Sequence, residues 1–178
     1  PCMTLARSHR FHQLDVFSSQ AMRGNPLAVV HDAASLTDET MATFARWTNL
    51  SETTFLLPPS SPAADYRVRI FTPGGELPFA GHPTLGSCQA WLWAGGQPLH
   101  RDEVVQECGV GLVRIRRDGS RLAFAAPPLR RTGPLAPDYR AALCAALGLE
   151  SREVVADQWV DNGPGWCGLM LRSEEDTS

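Results

Sequence analysis

Residues 66–96 read YRVRIFTPGGELPFAGHPTLGSCQAWLWAGG, and this stretch decides the class of fold. Tyr66, Val68 and Ile70 alternate with Arg67 and Arg69, the period of two that sets one face of a strand on a core and the other in water. Thr72-Pro73-Gly74-Gly75 interrupts it as a turn. From Pro83 to Ala94 the residues are apolar nearly all round, with Leu85, Cys88, Ala90, Trp91, Leu92 and Trp93, and Gly95-Gly96 closes the run. A helix with no polar face belongs in the middle of its domain, and Pro83 is suited to its first position.

Toward the N-terminus, Phe11 to Phe17 (FHQLDVF) reads as a strand with an irregularity, Gly24-Asn25-Pro26 as a turn, and Leu27 to Val30 as the strand that pairs back. Thr37 is a helix N-cap, with Asp38 and Glu39 where the helix dipole favours acids. Met41, Phe44, Ala45 and Thr48 then repeat at helical spacing until the helix ends near Asn49. Thr53 to Leu57 is β-prone, and the prolines of 58–62 stop it in a loop. Toward the C-terminus, Leu112 to Arg117 and Arg121 to Ala125 flank Asp118-Gly119, which predicts a hairpin turn at that dipeptide. Asp138 to Leu147 is a helix closed by Gly148, and Gly168 to Arg172 a last strand. No internal repeat is visible. Strands outnumber helices without alternating strictly with them, so the fold class is α+β: a curved, largely antiparallel sheet around a buried central helix.

The 178 residues are 43% apolar and 20% charged, the mix of a globular protein with a packed core. A net charge of -3 and scattered arginines offer nothing to a phosphate backbone, so no nucleic-acid partner is expected. No apolar run approaches the roughly 20 residues that cross a bilayer, and residues 1–10 lack the apolar core of a secretion signal, so no membrane partner and a cytoplasmic location are expected. Five cysteines, odd in number and without a C-x-x-C pair, read as reduced, buried, small apolar residues. His9 and His12 could share a helical face and hold a metal; their short leading segment favours solvated surface residues instead, and no metal is expected.

Familiar motifs fail first. Cys108-Gly109-Val110-Gly111 lacks the third glycine of a dinucleotide fingerprint, the position being Arg114, and there is no Gly-x-Ser-x-Gly elbow, Walker loop or His-Glu-x-x-His helix. What remains is Asn49-Leu50-Ser51-Glu52-Thr53-Thr54-Phe55 and Gly81-His82-Pro83-Thr84-Leu85-Gly86. Glu52 stands between a helix end and an apolar strand, where partial burial would strip water from the carboxylate and make it the better proton acceptor that a carbon acid demands. His82 stands at the positive end of the buried helix, where the amides of Thr84, Leu85 and Gly86 could face a substrate carboxylate and the imidazole could donate to it or shuttle a proton. Residue chemistry alone equally allows Glu52 to be a surface glutamate at the foot of a strand and His82 to cap a core helix. Glu76, in a Gly-rich turn, and Asp15, within the first strand, read as structural.

The segments LDVF, GNPLAVV, NLSETTFL and FTPGGELPFAGHPTLG, with NGPGWCGLML further on, resemble the PhzF, or phenazine-biosynthesis isomerase, family over residues 11–171. NLSETTFL followed about thirty positions on by the Gly-His-Pro-Thr motif is the specific part. The resemblance implies a diaminopimelate epimerase-like fold of two similar lobes with a cleft between them. Residues 1–10 would be a leader, 11–172 the N-terminal lobe and 173–178 a polar tail. The family's Asp-Pro-x-Thr-Gly-Ser motif is not among these residues, so the C-terminal lobe is expected to be absent from them. It also implies Glu52 as the acid/base residue, His82 as its assistant, Gly81 and the helix start as substrate-binding, and no cofactor. The activity implied is a proton shift between carbons of a small carboxylate, as in isomerisation of trans-2,3-dihydro-3-hydroxyanthranilate. An epimerase or racemase, and a catalytically silent lobe acting as an interaction module, are the alternatives. Self-association or a complementary second lobe is the expected partnership, because a bare cleft wall would expose apolar surface.

Overall fold

The computed structural model describes residues 8–126, 128–162 and 165–173. The chain divides into two compact units, Pro1–Ala126 and Pro127–Ser178, where the sequence reading expects one lobe over 11–172. Cys2, most of the leader and most of the polar tail lie outside the described residues.

The first unit begins with β1 (Phe11–Val16) and β2 (Asn25–Val30), antiparallel with Leu14 opposite Leu27. Helix α1 (Asp38–Thr48) follows, started by Thr37, whose side chain accepts from the Thr40 amide. It ends at Asn49, whose φ of 52° takes the left-handed conformation that asparagine tolerates at a helix end. Next come β3 (Glu52–Leu57), β4 (Tyr66–Thr72) and the short β5 (Gly75–Leu77). Helix α2 (Gly81–Trp93) precedes β6 (Glu103–Cys108), β7 (Gly111–Asp118) and β8 (Arg121–Phe124). One sheet joins these strands in the order β1-β2-β3-β4-β6-β7-β8, with β5 on β4. The sheet is largely antiparallel, with two parallel pairings, β2 on β3 and β4 on β6.

Three local expectations shift. Helix α2 starts at Gly81, so Pro83 is its third residue; proline fits there because the first-turn amides have no intrahelical acceptor. The β7–β8 turn is Gly119-Ser120, since Asp118 pairs with Arg121, and Gly119 takes φ 60° as the first turn residue. Trp93, expected inside, is 62% exposed. The end of α2 obeys its Gly-Gly signal: the Gly95 amide donates to the Leu92 carbonyl and the Gly96 amide to that of Trp91, the paired bonds that close a helix.

Helix α2 lies within the larger core, with Cys88 and Ala90 fully buried among Leu27, Val29, Tyr66, Val68, Ile70, Val104 and Ile115. Gly86 lets it approach the sheet: an added Cβ would lie 2.5 Å from Leu27 Cδ2 and 3.0 Å from Val16 Cγ2. Both neighbours are buried in a packed interior and have little room to give. Gly86→Ala is therefore expected to destabilise the fold by about 1–3 kcal/mol, read as a lower urea midpoint. An unchanged midpoint would show that this contact does not set the helix position.

The second unit contains α3 (Pro137–Leu147), with proline at its start and Gly148 at φ 72° closing it, and the antiparallel pair β9 (Val154–Trp159) and β10 (Cys167–Leu171). Arg140 Nε lies 3.1 Å from Asp157 Oδ2, and the Arg131 guanidinium stacks 3.5 Å above the Trp159 ring. Among the described residues, no helix is long and apolar enough to cross a membrane.

Candidate active site

Three element starts converge in the first unit. Asn25 opens β2, Glu52 opens β3, and His82 lies in the first turn of α2. The parallel register of β2 and β3 places Leu27 opposite Glu52, bringing the Asn25-Pro26 turn beside the carboxylate. Helix α2 is tied to both strands from beneath. Ser87 Oγ donates to Thr54 Oγ1 at 2.9 Å, and Thr54 Oγ1 donates to the Ala28 carbonyl at 3.3 Å.

The outcome is a buried carboxylate facing an imidazole. His82 Nε2 lies 3.4 Å from Glu52 Oε2, with the side chains 8% and 13% exposed. Both atoms are buried without a hydrogen-bond partner. Buried polar atoms are nearly always paired, so two that face each other unpaired make Glu52 and His82 the candidate functional pair. Burial lowers the His82 pKa, opposed by the Glu52 charge and by a hydrogen bond to the Pro26 backbone. Burial is the largest of these effects and favours the neutral ring.

Two further partners escaped the sequence reading. Asn25 Nδ2 lies 3.2 Å from His82 Nδ1, and Ser51 Oγ donates to Asn25 Oδ1 at 3.2 Å. Asn25 read only as a turn residue, although its place at a strand start was the available signal. Ser51 sits beside Glu52 in the same motif.

The other sequence-derived site residues divide. Gly81 opens α2 and, with His82, leaves a first-turn amide without an intrahelical acceptor; Ala80 at the N-cap supplies no side-chain cap. The expected anion-facing amides of Thr84, Leu85 and Gly86 are corrected. The Thr84 amide already donates to the Ala80 carbonyl at 3.2 Å, and regular α-helical bonding carries the next two amides to Gly81 and His82. Leu85 packs against the core, and Gly86 is a close-approach position. The Thr84 hydroxyl belongs to a buried relay instead. Tyr66 donates to Gln106 Oε1 at 2.9 Å, Gln106 Nε2 to Thr84 Oγ1 at 3.1 Å, and Thr84 Oγ1 to the Ala80 carbonyl at 2.9 Å. That relay anchors the start of α2 from inside, and burial keeps the Tyr66 phenol protonated as its first donor.

Glu76 is held by Arg69, which donates to both its oxygens at 2.7 and 2.6 Å, and Asp15 accepts from the Met22 amide; both are structural. Burial pushes the Cys88 thiol up to about 12, so it supplies no thiolate. His12 is on β1 rather than on a helix, with Nδ1 2.8 Å from Nε2 of buried His31, and His9 Nδ1 lies 3.2 Å from the His31 carbonyl. Among the described residues, no three His, Cys, Asp or Glu side chains gather to hold a metal ion.

Comparison with known proteins gives one family: PhzC-PhzF, phenazine biosynthesis-like protein, matches residues 14–178. Antisense-enhancing sequence 1 of Schizosaccharomyces pombe is 41% identical over 176 residues, covering 94% of this chain and 59% of that protein. The trans-2,3-dihydro-3-hydroxyanthranilate isomerase of Pseudomonas aeruginosa is 38% identical over 170 residues, covering 93% and 58%. A predicted epimerase from Pseudomonas aeruginosa superposes with a TM-score of 0.78 at 30% identity, covering 94% of this chain and 61% of its own. The chain thus spans about three fifths of the length of these relatives.

Proposed function

Because the chain belongs to the phenazine biosynthesis-like protein family, we propose that it carries the acid/base wall of a cofactor-independent isomerase, in which Glu52 moves a proton between carbons of a small carboxylate. The observation that carries this reading is the unpaired, buried approach of Glu52 Oε2 to His82 Nε2. A carboxylate held in place beside a weakly acidic C–H can take its proton, and the same group can return the proton to a second carbon. A neutral imidazole beside it stabilises charge by donating a hydrogen bond without competing for the proton. The free amides of Gly81 and His82, at the positive end of α2, would hold the substrate's carboxylate.

The relative named as a trans-2,3-dihydro-3-hydroxyanthranilate isomerase suggests an unsaturated cyclic amino acid of that kind as substrate. Epimerisation or racemisation of an amino acid is the second reading, favoured by the structural relative described as a predicted epimerase. Both begin with the same deprotonation and part at reprotonation. Product analysis separates them: isomerisation moves a double bond, whereas epimerisation inverts a stereocentre. Retention of both the double-bond position and the stereocentre during turnover would exclude each. The opposing wall of the cleft would come from a complementary second lobe or a second copy of the chain.

A further inference from the structure

We infer that Asn25, oriented by Ser51, fixes His82 as the neutral tautomer that carries its proton on Nε2, aimed at Glu52. The inference rests on the reading of Glu52 and His82 as the reacting pair, and it begins from a chain of contacts. Ser51 Oγ donates to Asn25 Oδ1 at 3.2 Å, which turns the amide nitrogen toward the ring, and Asn25 Nδ2 lies 3.2 Å from His82 Nδ1. An amide nitrogen has only hydrogens to offer. Nδ1 must therefore present its lone pair, and a neutral imidazole then holds its single proton on Nε2. That nitrogen faces Glu52 Oε2 at 3.4 Å.

The consequence is a division of labour. A ring protonated on Nε2 points its single proton at the carboxylate across the 3.4 Å gap and turns its lone pair away from it, toward Asn25. The rival tautomer, with the proton on Nδ1, would set that proton against the hydrogens of the Asn25 amide and put two lone pairs in opposition across the 3.4 Å gap to Glu52. Asn25 and Ser51 act through His82 and are positioning residues. The charged group facing the ring is Glu52.

Long-range proton–nitrogen correlation spectra of the 15N-labelled chain, recorded at neutral pH and assigned by comparison with His82→Asn, read the tautomer directly. The expected result is a neutral His82 ring with bare Nδ1 and protonated Nε2. Ser51 is exposed, so Ser51→Ala should fold normally while populating both tautomers. Asn25→Asp places a carboxylate at Nδ1; it should move the proton to that nitrogen and raise the His82 pKa by about 1–3 units. A ring protonated on Nδ1 in the unaltered chain, or an unchanged tautomer in Ser51→Ala, would overturn the inference, even if Asn25→Asp failed to fold. The spectra need no substrate, so a failure of the proposed isomerase activity would leave this result standing, and the reverse also holds.

Discussion

Glu52→Gln is expected to lower carbon-bound proton exchange by about 10²–10⁴-fold, the usual contribution of a positioned general acid or base. The amide retains the shape of the carboxylate, but it cannot accept a proton at neutral pH. The side chain is only 13% exposed at the foot of β3, and glutamine fills the same volume beside His82. Folding should therefore persist, with an unchanged circular dichroism spectrum, while exchange collapses. The assay is deuterium uptake by substrate in heavy water, with a complementary lobe supplied from a full-length relative. Exchange near the unaltered rate would remove Glu52 from the mechanism.

Phe55→Ala should have the largest effect on stability, a loss of about 3–5 kcal/mol. Phe55 is fully buried on the same strand as Glu52 and meets Phe71 edge-on at 5.5 Å and Phe44 at 6.2 Å. These rings form the centre of the smaller core, where α1 packs on the sheet through Met41 and Ala45. Removing the ring opens a cavity that the flanking aromatics cannot fill without leaving their edge-to-face geometry. Such a loss consumes much of the roughly 5–15 kcal/mol that a domain possesses. Urea unfolding measures it; a shift worth less than 1 kcal/mol would mean that this cluster is not the anchor of α1.

The elements legible in the sequence are those with a clean period or a clean stop. β4 alternates, α1 carries Thr37 at one end and Asn49 at the other, and Gly95-Gly96 closes α2 with the bonds that such a pair permits. β6 was not legible because Val104, Val105 and Gln106 are buried in succession, leaving no alternation to read. β5 is three residues long, and β9 mixes exposed Val155 with buried Val154. In the site, the residue types of Glu52 and His82 were legible, but their contact was not. It depends on the parallel register of β2 with β3 and on a helix that starts two residues before its proline. The amide roles expected of Thr84 and its neighbours failed for the same reason: moving the helix start moves every free N–H. Asn25 reaches His82 across 57 positions of sequence, a contact that no local pattern encodes.

The proposed role of this chain, to supply the proton-transfer group of a carbon-acid isomerase, is tested most directly in heavy water. Trans-2,3-dihydro-3-hydroxyanthranilate, the compound in the name of the Pseudomonas aeruginosa relative, would be incubated in deuterium oxide with this chain and a separately expressed C-terminal lobe from a full-length relative. The chain alone serves as the control. Deuterium at a substrate carbon in the mixture, and none with the chain alone, is the expected result, because a base works on a carbon acid only when both walls exclude water and hold the substrate. No deuterium from a mixture whose two lobes co-elute as a complex on size-exclusion chromatography with substrate bound would contradict the claim.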